Sequence, residues 1–167
     1  IYVQEEFGQG AARAFELYGL GFLLPGSGYV KVGRFVPAFG WKHDDHRAFT
    51  RREFVFLPAF PPQSDTGLEV GFLPGPLSLQ MSATNGEFAS AQEQNNELAW
   101  TARGELRRDL PGGHAAFGGS YFQHRGIRGG AAGAAGEDVY AGGPFAALRA
   151  GPVTWMGEFD WTHREVA

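Results

Sequence analysis

The clearest signal in the chain is alternation of apolar and polar positions. In 67–73, Leu68, Val70 and Phe72 fall on one side and Gly67, Glu69 and Gly71 on the other. Beyond Pro74-Gly75-Pro76 the pattern resumes over 77–84, where Leu77, Leu79, Met81 and Ala83 oppose Ser78, Gln80, Ser82 and Thr84. A period of two is that of a β-strand, whose successive side chains point to opposite faces. The two runs therefore predict a hairpin. Residues 97–107 repeat the pattern, with Leu98, Trp100, Ala102 and Leu106 against Thr101, Arg103, Glu105 and Arg107. So do 153–163, with Val153, Trp155, Phe159 and Trp161 against Thr154, Glu158, Asp160 and Thr162. Strands with less one-sided faces are predicted over 1–7, 13–24, 29–36, 114–124 and 138–149, which makes about nine in all.

The connections alternate too. Short turns rich in Gly and Pro fall at 25–28, 74–76, 109–113 and 151–152, and longer connections at 8–12, 38–66, 85–96 and 125–137. In an up-and-down arrangement this puts short turns on one rim and long loops on the other, the pattern of an outer-membrane barrel. Reading 38–66 as a single connection is part of that assignment. The apolar faces carry Trp100, Tyr121, Trp155, Phe159 and Trp161, tending towards strand ends as interface girdles do, while the opposite faces are charged or small. Alternation alone does not say which face is inside. A soluble barrel turns its apolar face inwards; a membrane barrel turns it outwards.

Composition narrows the choice. With 26 Gly and 10 Pro in 167 residues, few windows remain for a long helix. No apolar run approaches the ~18 residues of a transmembrane helix, but a transmembrane strand needs only ~10, with every second one apolar. The absence of Cys removes disulfides, thiolate metal ligands and Cys nucleophiles. A net charge of −4 argues against a nucleic-acid partner. No nucleophile elbow, P-loop or dinucleotide fingerprint occurs, so neither an enzyme nor a cofactor is expected. The length suits one domain. The chain starts at Ile1 without a leader pattern and ends on Glu165-Val166-Ala167, just after a strand-like run. The expectation is a single, incomplete barrel domain over 1–167.

The stretch 29–52 stands apart. It opens as a strand, meets Pro37 and Gly40, which cannot continue a central strand, and becomes a loop holding Lys42, His43, Asp44, Asp45, His46, Arg47, Arg51 and Arg52. The run V-K-V-G-R-F-V-P-A-F-G, followed by a long loop, then T-G-L-E-V-G-F and a hairpin ending in S-A-T-N-G, resembles the phosphate-selective porin O and P family of outer-membrane porins. The matching positions are Gly33, Arg34, Phe35, Pro37, Phe39, Gly40, Gly67, Asn85 and Gly86, within 29–86. In that family the strand leads into a loop that enters the barrel. The resemblance implies a transmembrane barrel of about sixteen antiparallel strands, of which this chain supplies about nine, and a homotrimer. The His-Asp-Asp-His run at 43–46 has no counterpart in that family's pattern.

Lys42, Arg47, Arg51 and Arg52 suit a cationic constriction, since arginine rings offer fixed donors to anions in place of water. A solvated loop on the extracellular rim is the plainer reading of the same residues. His43 and His46 with Asp44 and Asp45 are competent metal ligands whose spacing suits no closed site, so no metal is expected. Glu158 and Asp160 share a face like a glycosidase pair, but they fit a channel lining better. With Glu69, Gln80, Arg103, Glu105, Arg107 and Ser120 they are the lumen-lining candidates, and their mixed signs leave selectivity to the loop. The expected function is passive diffusion of small hydrophilic solutes or ions across a bacterial outer membrane, with outer-membrane lipid around the wall. Two alternatives stand beside it: a barrel that sheathes a partner protein, such as an electron carrier, and a soluble β-barrel that binds a ligand on an apolar interior.

Overall fold

A computed structural model describes residues 1–8, 11–41, 64–86, 97–128 and 136–166. Among them there is no helix. The strands are β1 (Tyr2–Gly8), β2 (Ala11–Leu24), β3 (Gly28–Phe35), β4 (Asp65–Phe72), β5 (Leu77–Thr84), β6 (Ala99–Leu110), β7 (Gly113–Arg128), β8 (Gly136–Ala150), β9 (Val153–Glu158) and β10 (Trp161–Val166). All ten lie in one antiparallel up-and-down sheet that follows chain order and does not close on itself.

The alternating segments form the strands expected of them, and Leu77–Thr84 keeps its predicted bounds. The count differs from about nine at the end of the chain. The single strand expected over 153–163 is two, β9 on Phe145–Ala150 and β10 on Glu137–Gly142, so both share one position beside β8. Gly143 and Pro144 lie opposite the break. Proline has no N–H to give to a ladder, and its carbonyl instead accepts a lone bond from the Phe159 N–H at 3.0 Å before pairing restarts at Trp161.

Tight turns at 25–27, 73–76, 111–112 and 151–152 share one rim. The strand ends that are joined through 36–64, 85–98 and 129–135 lie at the other rim. Phe35 pairs with Asp65, so β3 and β4 are neighbours joined by one long connection, slightly displaced from the expected 38–66. The fourth connection on this rim is shorter than expected. Gly8 pairs with Ala11 and Phe7 with Ala12, so main-chain pairing extends into a Gly/Ala-rich stretch that reads as loop by composition.

The two faces of the sheet are opposites. One buries Lys31, Glu69, Ser82, Thr84, Thr101, Glu105 and His124, with Glu69 at 0% exposure. A small apolar cluster of Ala99, Phe122, Val139 and Ala141, with Phe39 packed on it, sits on this side near the long-connection rim. The other face leaves Leu68, Val70, Leu79, Met81, Trp100, Leu106, Phe117 and Trp155 bare, Phe117 at 65% and Trp155 at 60%.

Candidate functional site

Strand register assembles the polar face. Lys31 lies opposite Glu69, Glu69 opposite Ser82, Gln80 opposite Arg103, and Arg103 opposite Ser120. Residues directly opposite in an antiparallel pair share a face at ~5 Å, so these side chains meet in rows across the strands. Glu69 Oε1 pairs with Lys31 Nζ at 2.5 Å and accepts from the Tyr29 hydroxyl at 2.7 Å. The Lys31 ammonium also lies over the Phe35 and Tyr18 rings, 4.7 and 5.3 Å from their centroids, a favourable placement for a desolvated cation. Gln80 Nε2 donates to the Tyr29 oxygen at 2.8 Å, and Gln80 Oε1 accepts from Arg103 Nη1 at 3.3 Å. Arg103 Nη2 and Arg107 Nε then donate to the two oxygens of Glu105. The result is one continuous polar chain from β3 to β6 whose charges are mutually paired.

Across this face runs the segment that leaves β3. The Val36 N–H donates to Glu16 Oε1 at 2.9 Å. The Gly40 N–H donates to Ser120 Oγ at 2.8 Å, and the Gly40 carbonyl accepts from Arg103 Nε at 2.8 Å. The Trp41 N–H donates to Glu158 Oε2 at 3.2 Å, its indole N–H to the Gly157 carbonyl at 3.1 Å. The Trp41 ring packs edge-on to Phe145, centroids 4.8 Å apart, and the Arg103 guanidinium covers the same Phe145 ring at 4.6 Å. Gly40 has φ +53°, and a Cβ there would run into the Glu158 carboxylate, so this close approach needs glycine.

The span of this segment is informative. From β3 to β9 is six inter-strand spacings, ~29 Å in a flat sheet. Six residues from Phe35 to Trp41 extend at most ~22 Å, and at Gly40 the backbone is not extended. The Glu158 and Trp41 side chains bridge the rest of the way.

A second polar group lies at the long-connection rim. Asp65 accepts from the Gly86 N–H at 2.6 Å and the Thr66 N–H at 2.7 Å. Gly86 has φ +79° and lies against the His124 ring, which is 1% exposed. Among the described residues neither nitrogen of His124 has a hydrogen-bond partner, nor do Glu69 Oε2, Ser82 Oγ and Thr84 Oγ1.

Of the residues singled out in the sequence, Glu69, Gln80, Arg103, Glu105, Ser120 and Glu158 are brought together on the covered face, either in the chain of contacts or under the crossing segment. Asp160 lies half-buried at the break between β9 and β10. Arg107 shares the parity of the covered face, but its side chain is 70% exposed towards the short-turn rim. Lys42, His43, Asp44, Asp45, His46, Arg47, Arg51 and Arg52 lie outside the described residues. Sequence reasoning did not single out Glu16, Tyr29, Lys31, Asp65 and His124 as site residues. The available signal was a lone lysine between valines in V-K-V, a charge in a strand with no polar neighbour to excuse it. Among the described residues no three His, Asp or Glu side chains gather in a metal-binding arrangement. No helix among them is long and apolar enough to cross a membrane, which says nothing of a membrane crossed by strands.

No protein-family model matches the chain, and neither a curated protein nor a solved structure matches it. The likeness of 29–86 to the phosphate-selective porins rests on the residues quoted for it.

Proposed function

We propose that this chain is the wall of a β-barrel in a bacterial outer membrane, and that the barrel is a channel for passive diffusion of small hydrophilic solutes or ions. The observation that carries the reading is the inverted burial of the sheet. Exposed leucines and tryptophans are ordinary one by one. A contiguous bare apolar face backed by a face of buried, paired charges is what lipid outside and water inside select. On β6 and the residue before it, the outward positions Leu98, Trp100, Ala102, Gly104 and Leu106 carry no charge, and Arg108 follows. That run is ~27 Å along the strand, or ~21 Å of height at a usual tilt, near the ~25 Å apolar band of such barrels.

Lipid tolerates no unpaired strand edge. The reading therefore requires strand partners for the free edges of β1 and of β9 with β10, whether more strands or a second copy. The sixteen-stranded trimer implied by the porin likeness is one way to supply them. A segment lying across the polar face favours a channel over a sheath, because a bore that houses a partner protein must be clear.

Since Lys31 with Glu69 and Arg103 and Arg107 with Glu105 are paired with one another, and Glu158 is engaged by the Trp41 N–H, selectivity falls to Lys42, Arg47, Arg51 and Arg52 of the long connection. The test is reconstitution of the protein in planar bilayers. Discrete conductance steps are expected, and replacing Arg47, Arg51 and Arg52 by Glu should move the reversal potential towards cation selectivity. Unchanged reversal potentials would overturn the loop assignment. Membrane insertion with no conductance would favour the sheath.

A further inference from the structure

We propose that Glu158, Ser120 and Arg103 are positioning residues: they fasten the backbone of Gly40 and Trp41 across the sheet, and act on the bore through that backbone rather than by lending charge to the lumen. The inference rests on the channel reading and assigns these side chains a role that a charged or polar lining does not need.

Their geometry sets them apart from a lining. Arg103 spends Nε on the Gly40 carbonyl at 2.8 Å, Nη1 on Gln80 at 3.3 Å, Nη2 on Glu105 and its π-face on Phe145. A guanidinium engaged on three nitrogens and one face has little left to offer a passing ion. Ser120 Oγ accepts the Gly40 N–H, while Arg103 holds the Gly40 carbonyl, so the two peptide units that flank Gly40 are each fixed. Glu158 accepts the Trp41 N–H, and the Trp41 indole is seated on Gly157 and Phe145. Two successive residues are thus held from β6, β7, β8 and β9 at once. The chain beyond Trp41 begins from a fixed point far from the strand that launched it. Residues 36–41 are thereby held against the covered face.

Acceptor and charge can be separated at Glu158. Gln keeps an oxygen that accepts the Trp41 N–H and removes the charge; Ala removes both. Fastening predicts that E158Q behaves as wild type in open-channel current noise and conductance. E158A and S120A should show noisier, larger currents with an unmoved reversal potential. A lining role predicts that E158Q and E158A shift the reversal potential alike and leave the noise unchanged, and that result overturns the proposal. A second readout does not depend on conduction. Trypsin acting after Arg47, Arg51 or Arg52 in the folded protein should cut E158A about tenfold faster than wild type, the fold-change expected from losing a hydrogen bond to a charged group when cleavage tracks the opened population. If the wild type conducts nothing, the channel reading falls. The fastening is then judged by trypsin alone, and equal cleavage of E158A and wild type overturns it.

Discussion

Glu69 is wholly buried, with Lys31 and Tyr29 on one oxygen. Such a pair contributes little against a well-packed apolar substitute, but removing one partner strands the other charge at a cost of about 3–5 kcal/mol. Glu69→Ala should therefore lower stability by about 3 kcal/mol. Glu69→Leu combined with Lys31→Met should recover most of that loss. Denaturant unfolding in detergent micelles, followed by tryptophan fluorescence, measures both. A double variant no more stable than Glu69→Ala would show that the pair holds something else in place. At this scale the sequence was legible up to the face and no further. Period-two alternation put Glu69, Gln80, Arg103, Glu105 and Ser120 on one side of their strands. It could not say that Glu69 meets Lys31, because the two come from strands 29 residues apart whose register is set by pairing. Nor could it show that the Arg103 charge is held by Gly40, since a backbone carbonyl leaves no mark in a residue pattern.

The strands were legible because half-buried β structure writes its period into the sequence, and the turns because Gly and Pro punctuate it. The break between β9 and β10 was not, because its cause is Pro144 on the neighbouring strand. The rim assignment is a statement about elements, and it can be tested directly because the chain has no cysteine of its own. Pro152 is exposed in the turn before β9, and Glu97 is exposed just ahead of β6 on the opposite rim. Single Pro152→Cys and Glu97→Cys variants, in oriented membranes, should react with a membrane-impermeant maleimide from opposite sides. Labelling of both from the same side would mean that the strands between them do not cross the bilayer, whatever their faces look like.

For the molecule as a whole, the question is which solvent the bare face was built for, and one substitution puts it to both solvents. Ala102 points outward in the middle of β6, exposed, opposite Met81 and Tyr121. In water, Arg at an exposed strand position away from charged neighbours changes stability by no more than about 0.5 kcal/mol. At the middle of a bilayer, Arg on the lipid face of a barrel costs about 2–4 kcal/mol, because the guanidinium must snorkel or draw water in after it. Thr101, its neighbour in sequence, is buried on the covered face, and Thr101→Arg should destabilise in either solvent by crowding the polar row. The two variants together separate the readings. A channel wall predicts that Ala102→Arg loses about 2–4 kcal/mol in liposomes, with the loss shrinking as the same change is moved along the outward positions towards Leu98. A soluble barrel predicts a monomer that needs no detergent, in which Ala102→Arg is silent and Thr101→Arg is not. The inverted burial of charge and hydrocarbon makes the first outcome the expected one. It follows from the whole sheet, since no single exposed leucine or buried glutamate would distinguish the two solvents.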